Sequence, residues 1–477
     1  MSISELFRTR SIQDLVKETG REGEQLKKTM GPVTLTALGV GAIIGTGIFV
    51  VIGEGAKLAG PAVILAFVLA GITCAFSALS YAELASAVPV SGSAYTFSYA
   101  TLGELVAFII GWDLILEYGV SVAAVAVGWG GNVNEFLKSA FSFELPAAIT
   151  KSPSEGGVIN VFAVVIVLLI TLLLTLGTRE SATINAVMVG VKIVILLFFI
   201  VVAFTAFSGR HFEPFTPKGI PGIAAAASTI FFAYIGFDAV TTASEETKKP
   251  ARDLPIAIIG SLLISTVLYV LVSFTAVGIA STKSLGDSDA PLSTALREGA
   301  GIPWAGAVLS LGALIAITSV VLVIMYGQTR IFFAMCRDGL LPRRLARVSP
   351  RFGTPVQITV GFGLLISVLA ALVPLDVIVE LTNIGTLFAF VLVNIGVIVL
   401  RRTRPELERP FRVPFVPVLP IIGILLCGTL IVQLPIETKL RFVAWLIIGL
   451  VIYVAYSRRH SRVRTGEQTD LPPAEDA

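Results

Sequence analysis

Three groups of residues in this 477-residue chain have types and spacings that could do chemistry. The first is the run Leu38-Gly-Val-Gly-Ala-Ile-Ile-Gly-Thr-Gly-Ile-Phe49, with Gly39, Gly41, Gly45 and Gly47 at its centre. The second is Phe231-Phe-Ala-Tyr-Ile-Gly-Phe-Asp-Ala-Val240, which sets Gly236 and Asp238 within an apolar stretch. The third is a set of isolated ionisable residues in apolar surroundings: Lys192, Asp113 and Glu117. Glycine costs a helix about 1 kcal/mol relative to alanine, so both runs favour local unwinding. Within a bilayer, irregular backbone is tolerated only where it lines a protein cavity, and there it leaves amides and carbonyls free to bind. Amides around Ile43, Gly45, Thr46 and Gly47, at the positive end of a half-helix, suit a carboxylate. Carbonyls around Phe232, Ala233 and Ile235 suit an ammonium group. A site offering both a few ångströms apart fits an α-amino acid. Two simpler readings of the glycine run compete. Gly41-x-x-x-Gly45 also fits a helix-packing groove, whereas a dinucleotide fingerprint lacks its βαβ unit.

The elements that must position these residues are membrane helices. Hydrophobic residues make up 55% of the chain and charged residues 14%, against roughly 25% charged in soluble domains, and the mean hydropathy is +0.88. A soluble enzyme, a disordered chain and a disulfide scaffold are excluded on these figures. Lys+Arg 35 against Asp+Glu 32 leaves +3, too little to suggest a nucleic-acid partner. Cys74, Cys336 and Cys427 lie far apart in or beside apolar runs and read as small core residues. The first 30 residues hold no apolar signal-peptide core.

Since roughly 20 apolar residues are needed to cross a hydrocarbon core, about twelve spans are expected. They begin near Thr34, Pro61, Gly103, Val158, Ala182, Gly222, Pro255, Trp304, Val356, Val377, Phe415 and Arg441. The absence of strand alternation excludes an outer-membrane barrel. The expected order is a cytoplasmic arm over 1–33, five spans over 34–207, five more over 222–400, two over 415–457 and a cytoplasmic tail over 458–477. With the N-terminus inside, about 24 Lys and Arg fall on the cytoplasmic side and about 9 opposite, so both termini are expected in the cytoplasm. The arm reads as a short surface helix or a solvated segment, and the acidic tail as unstructured. The two interrupted runs fall in the first and sixth spans, each opening a set of five. Paired broken helices in corresponding places point to an inverted-repeat transporter with its site at the bilayer midplane.

Lys192 lies about ten residues into the fifth span, roughly 14 Å deep at 1.5 Å per residue. Its stem is too short to snorkel to water from there. An interior, functional lysine follows, either as a proton carrier or as a fixed ammonium bonded to carbonyls of the first span. Asp113 and Glu117 are four apart on the third span and share a helix face. Glu117 is read as lining the pathway or meeting Lys192, and Asp113 as nearer the boundary. Asp238 could attract a cationic substrate side chain or hold the half-helices in register. Glu83 and the Glu245–Glu246 pair read as ion-pair partners near the cytoplasmic edge. Thr318 and Ser319 could place hydroxyls beside Lys192, though such residues usually bond their own backbone.

Several of these strings resemble one family. Gly41 to Phe49 resembles the first-helix signature of the amino acid–polyamine–organocation permeases, as do Tyr81-Ala-Glu-Leu and Pro89-Val-Ser-Gly-Ser-Ala-Tyr95. Glu245-Glu-Thr-Lys-Lys-Pro-Ala-Arg-Asp-Leu-Pro255 and Arg330-Ile-Phe-Phe-Ala-Met-Cys-Arg-Asp-Gly-Leu-Leu-Pro342 resemble its loops after spans six and eight. Arg401-Arg-Thr-Arg-Pro-Glu-Leu-Glu-Arg-Pro-Phe-Arg-Val-Pro414 is similar to the cationic amino acid transporter branch. Lys249, where an Asn is more usual, and Ser244, where a Gly is common, depart from the pattern.

The resemblance implies an all-α integral membrane protein with a five-plus-five inverted repeat, broken first and sixth helices and two extra helices. It implies alternating access without ATP, and no phosphate-loop motif is present. By position, Ile43, Gly45, Thr46 and Gly47 would take the substrate carboxylate. Phe232, Ala233 and Ile235 would take its amino group, with Phe232 as a gate. Asp238 and Glu117 would face the side-chain pocket, and Lys192 would couple protons. The expected activity is proton symport of a small neutral or cationic L-amino acid across the cytoplasmic membrane, or else sodium-independent exchange. No cofactor or metal is expected beyond the coupling proton; the partners are substrate and lipid. An enzyme is disfavoured because the only histidines, His211 and His460, sit in an outer loop and the tail, and a channel because no filter repeat occurs.

Overall fold

The computed structural model describes residues 28–88, 93–177, 182–349, 352 and 354–461. Expectations for the N-terminal arm before Lys28, the motif at 89–92, Arg179, Arg351, the Glu245 side chain and the tail after Ser461 fall outside what is described.

Among the described residues the chain is helical. The one β feature is an isolated parallel bridge between Met30 and Thr247, in which Met30 donates to the Glu246 carbonyl (3.0 Å) and accepts from Lys248 (2.9 Å). The first span is α1 (Pro32–Ile43), a short π-turn over Gly47–Val51, and α2 (Ile52–Ala59). The chain then turns at Gly60, whose φ of +66° is left-handed backbone that glycine takes without a Cβ penalty. There follow α3 (Val63–Ala87), α4 (Ser93–Thr101), α5 (Glu104–Phe141), α6 (Val161–Leu176) and α7 (Ala182–Thr205). Next come α8 (Gly219–Ile230) and a 3₁₀ segment over Phe237–Glu246, then α9 (Pro250–Ile279), α10 (Pro303–Arg337), α11 (Val356–Leu372), α12 (Leu375–Thr403), α13 (Val418–Gln433) and α14 (Ile436–Ile452).

Among the described residues, eight helical stretches are long and apolar enough to cross a membrane, the first of them being Pro32–Ala87 with its turn at Gly60. Three shorter apolar helices, α6, α11 and α13, join them. Their outward faces are hydrocarbon: Leu169 and Leu172 on α6, Val194 and Val201 on α7, and Leu364, Leu365 and Val368 on α11 are all exposed. Continuous exposed apolar belts on helices whose backbones are satisfied internally define a multi-pass membrane protein.

Inside, α5 packs along α10 and α12, and α9 packs along α1 and α3. Polar side chains tie neighbours together. Ser80 on α3 donates to Asn394 Oδ1 on α12 (2.7 Å), and Asn394 Nδ2 returns a bond to Ser77 (3.1 Å). At the end of the same two helices Glu83 accepts from Arg401 at 2.9 and 2.6 Å and from the Val413 amide at 2.7 Å. The expected ion-pair role of Glu83 is therefore present, and its partners come from the arginine-rich string that ends α12 and continues beyond it. Trp112 on α5 and Trp445 on α14 stack at 4.4 Å, each indole donating to the other's carbonyl (2.9 and 3.1 Å).

Candidate substrate site at two interrupted helices

Both glycine-bearing spans come apart. In the first, the Ile44 amide closes the last turn of α1 on the Val40 carbonyl (2.9 Å), and Ile44 itself is extended, with φ −75° and ψ 105°. Helical geometry resumes at Thr46 and Gly47. In the second, α8 tightens into a 3₁₀ turn over Phe231–Tyr234, Ile235 is extended, and Gly236 has φ +114° before the Phe237–Glu246 segment. A helix terminus leaves its end amides and carbonyls without intrahelical partners. Each span therefore brings two such termini together at one depth.

The two breaks face each other. A Cβ on Gly236 would sit 2.8 Å from the Ala42 carbonyl oxygen, and one on Gly47 would overlap the Ala233 backbone. Glycine at both places lets the main chains touch. Aromatic packing fixes the second break from both sides: Phe231 before it and Phe237 after it each pack on Phe390 of α12, at 5.6 and 5.1 Å between ring centroids. Hydrogen bonds hold the flanking arms. Tyr269 on α9 donates to the Ile43 carbonyl (2.8 Å), Tyr234 to the Phe67 carbonyl (2.9 Å), and Asn383 Nδ2 on α12 to the Ser228 and Thr229 carbonyls (2.8 and 3.0 Å).

Each residue read as binding substrate lies at this junction. Ile43, Thr46, Phe232 and Ala233 are buried, as are Gly45 and Gly47, while Ile235 is half-buried. Gly45 lies against Val320 of α10, 2.9 Å from where its Cβ would be. Thr46 donates to the Val125 carbonyl of α5 (3.4 Å). Not every carbonyl is free: Ile43 is taken by Tyr269, and Phe232 accepts the Ile235 amide at 3.3 Å. A carbonyl oxygen has two lone pairs, so Phe232 keeps capacity for a ligand.

Lys192 is fully buried and reaches the first span, its ammonium donating to the Gly41 carbonyl at 2.5 Å. Thr318 and Ser319 bond their own helix, to Leu314 and Ala316. Asp238 is buried close enough to act electrostatically on Glu117 and Tyr118 of α5, and Glu117 lies beside Thr386 of α12. Asp113, read from the sequence as nearer the boundary, is wholly enclosed. The enclosure comes from α12, which crosses α5 at Gly385. The clamps Tyr269 and Asn383 were missed in the sequence; the signal available was a lone polar side chain inside an otherwise apolar run.

A helical multi-pass membrane protein enclosing main-chain donors and acceptors between two broken helices is the class these features define. The chain belongs to the amino acid permease family, whose family model matches residues 30–456. It is 51% identical over 462 residues to the branched-chain amino acid permease BcaP of Bacillus subtilis (strain 168), covering 96% of this chain and 99% of that one. It is 44% identical, over the same shares, to the methylthioribose transporter of that organism. To the vacuolar cationic amino acid transporter 4 of Arabidopsis thaliana it is 38% identical, across 82% of this chain and 66% of that protein. These relatives are named as permeases and transporters, not enzymes.

Proposed function

We propose that this protein is a secondary active permease that moves a neutral, branched L-amino acid across the cytoplasmic membrane with a proton. The observation that carries the reading is the meeting of two helix breaks, at Gly47 against Ala233 and at Ala42 against Gly236. In it the substrate carboxylate lies on the amides of Gly45, Thr46 and Gly47 after Ile43, where the positive end of a half-helix favours an anion. The ammonium group lies on carbonyls of Phe232, Ala233 and Ile235, and the Phe232 ring covers the site as a gate. Ile43 and Val320 beside the breaks suit a hydrocarbon side chain better than a charged one. The similarity to a branched-chain permease favours the same choice.

The accompanying architecture is twelve crossings with both termini in the cytoplasm: a five-plus-five inverted repeat and two added helices, with the first and sixth spans as counterparts. Lys192 is the proton carrier. In its protonated form it ties α7 to the end of α1 through Gly41. Losing the proton removes the positive charge that strengthens that bond, leaving a neutral amine that donates more weakly and freeing the arm to move. No other cofactor takes part.

The test is uptake into proteoliposomes of labelled leucine, alanine, arginine and methylthioribose, with an inward proton gradient, with a sodium gradient, or with trans amino acid only. The expected result is leucine accumulation driven by the proton gradient. Accumulation of arginine alone would assign Asp238 and Glu117 to side-chain recognition. Transport only by trans-stimulated exchange would replace symport with sodium-independent exchange.

A further inference from the structure

Resting on the proton-coupled reading above, we infer that Asp113 and Glu117 form a second proton-holding site in this permease, between α5 and α12. Asp113 is 0% exposed and Glu117 2%. Neither oxygen of Asp113 has a hydrogen-bond partner among the described residues, and neither does Oε2 of Glu117. The two acids share a helix face and are pressed onto α12 where a glycine makes room: a Cβ at Gly385 would lie 2.9 Å from Asp113 Oδ1 and 3.5 Å from Glu117 Cβ.

Buried carboxyl oxygens without a donor are unfavourable, and a proton is the smallest ligand that supplies one. Protonated, a carboxyl gains an O–H donor of its own. Buried acids of this kind in membrane helices mark proton relays. Loading forms one O–H bond by taking a proton from water, and release returns that proton to water on the other side, so nothing is oxidised or reduced.

The surrounding groups leave the proton few rivals. Glu117 is the charged neighbour acting on Asp113, and Asp238, from the segment after the second break, acts on Glu117. Tyr118 sits on the same helix. Toward α5, α12 brings the Thr386 hydroxyl, α10 brings Gln328, whose amide donates to the Ile115 carbonyl (3.2 Å), and α14 brings the Trp445 ring.

The test compares Asp113→Asn with wild type in proteoliposomes by two readouts, leucine counterflow at equal pH and accumulation under an inward proton gradient. The expected result is counterflow retained and accumulation lost, the internal concentration rising no higher than the external one. Accumulation equal to wild type in Asp113→Asn would overturn this inference and leave the coupled reading standing. Failure of the wild type itself to accumulate would overturn the coupled reading and this inference together. Should Asp113→Asn lose counterflow through misfolding, Asp113→Glu decides. It keeps a carboxyl in altered geometry, so a displaced pH profile of accumulation supports the site and an unchanged profile overturns it.

Discussion

Lys192 and Gly41, 151 positions apart in sequence, are joined by a 2.5 Å bond from a fully buried ammonium to the carbonyl of the last complete turn before the first break. The proposed coupling ion and the proposed substrate site thus share one short stretch of backbone. A change in the charge of Lys192 changes the partner of Gly41, two residues before Ile43.

Lys192→Met removes the donor and keeps the stem. Leaving a buried carbonyl unsatisfied costs about 1–3 kcal/mol, so the melting temperature in detergent is expected to fall by several degrees without loss of fold. Accumulation driven by a proton gradient should vanish while counterflow persists. An unchanged pH dependence of uptake would assign Lys192 a purely structural role.

Gly45→Leu places a branched side chain where even a Cβ would come within 2.9 Å of Val320. It should weaken leucine binding by more than about tenfold, a loss of at least about 1.4 kcal/mol. Gly361→Leu on α11 is the control, because nothing lies within 4 Å of its Cβ direction. It should bind as wild type. Normal affinity in Gly45→Leu would favour the packing-groove reading of the glycine run.

Arg401→Met breaks the clasp on Glu83, whose side chain is only 1% exposed. Stranding a buried charge costs roughly 3–5 kcal/mol. The expected cost is about 2 kcal/mol, because Arg401 is itself 26% exposed and screened and Arg409 Nε remains 3.6 Å from Glu83. Glu83→Gln combined with Arg401→Met should cost less than the two changes added, since each removes the other's unpaired partner. Thermal unfolding of the four proteins measures this directly.

Much of the fold was legible because a bilayer imposes simple rules. Apolar runs long enough to cross it mark most of the helices, and the crowding of Gly39, Gly41, Gly45 and Gly47 marks where one cannot stay regular. Gly236 beside Asp238 marks the other. What the chain alone does not display is which break touches which. The contact of Gly47 with Ala233 depends on how α2 and α8 pack, and no local pattern encodes it. The same applies to Asp113. Its depth along α5 can be counted, but its enclosure depends on Gly385, more than 270 positions later. Asn383 and Tyr269 were passed over because a single polar residue in an apolar run has many uses, and only the positions of the opened carbonyls single out one.

The central claim is that bare main chain in the two breaks recognises both ends of a zwitterion. It is tested most directly by equilibrium binding of labelled leucine to the purified protein in competition with leucinol, which lacks the carboxylate, and 4-methylpentanoate, which lacks the amine. Both keep the hydrocarbon side chain. The expected result is that unlabelled leucine displaces the label and neither analogue does so at concentrations about a hundredfold higher, a gap of about 2.7 kcal/mol. Displacement by either analogue as effective as by leucine would contradict the claim, because one of the two breaks would then contribute nothing to recognition.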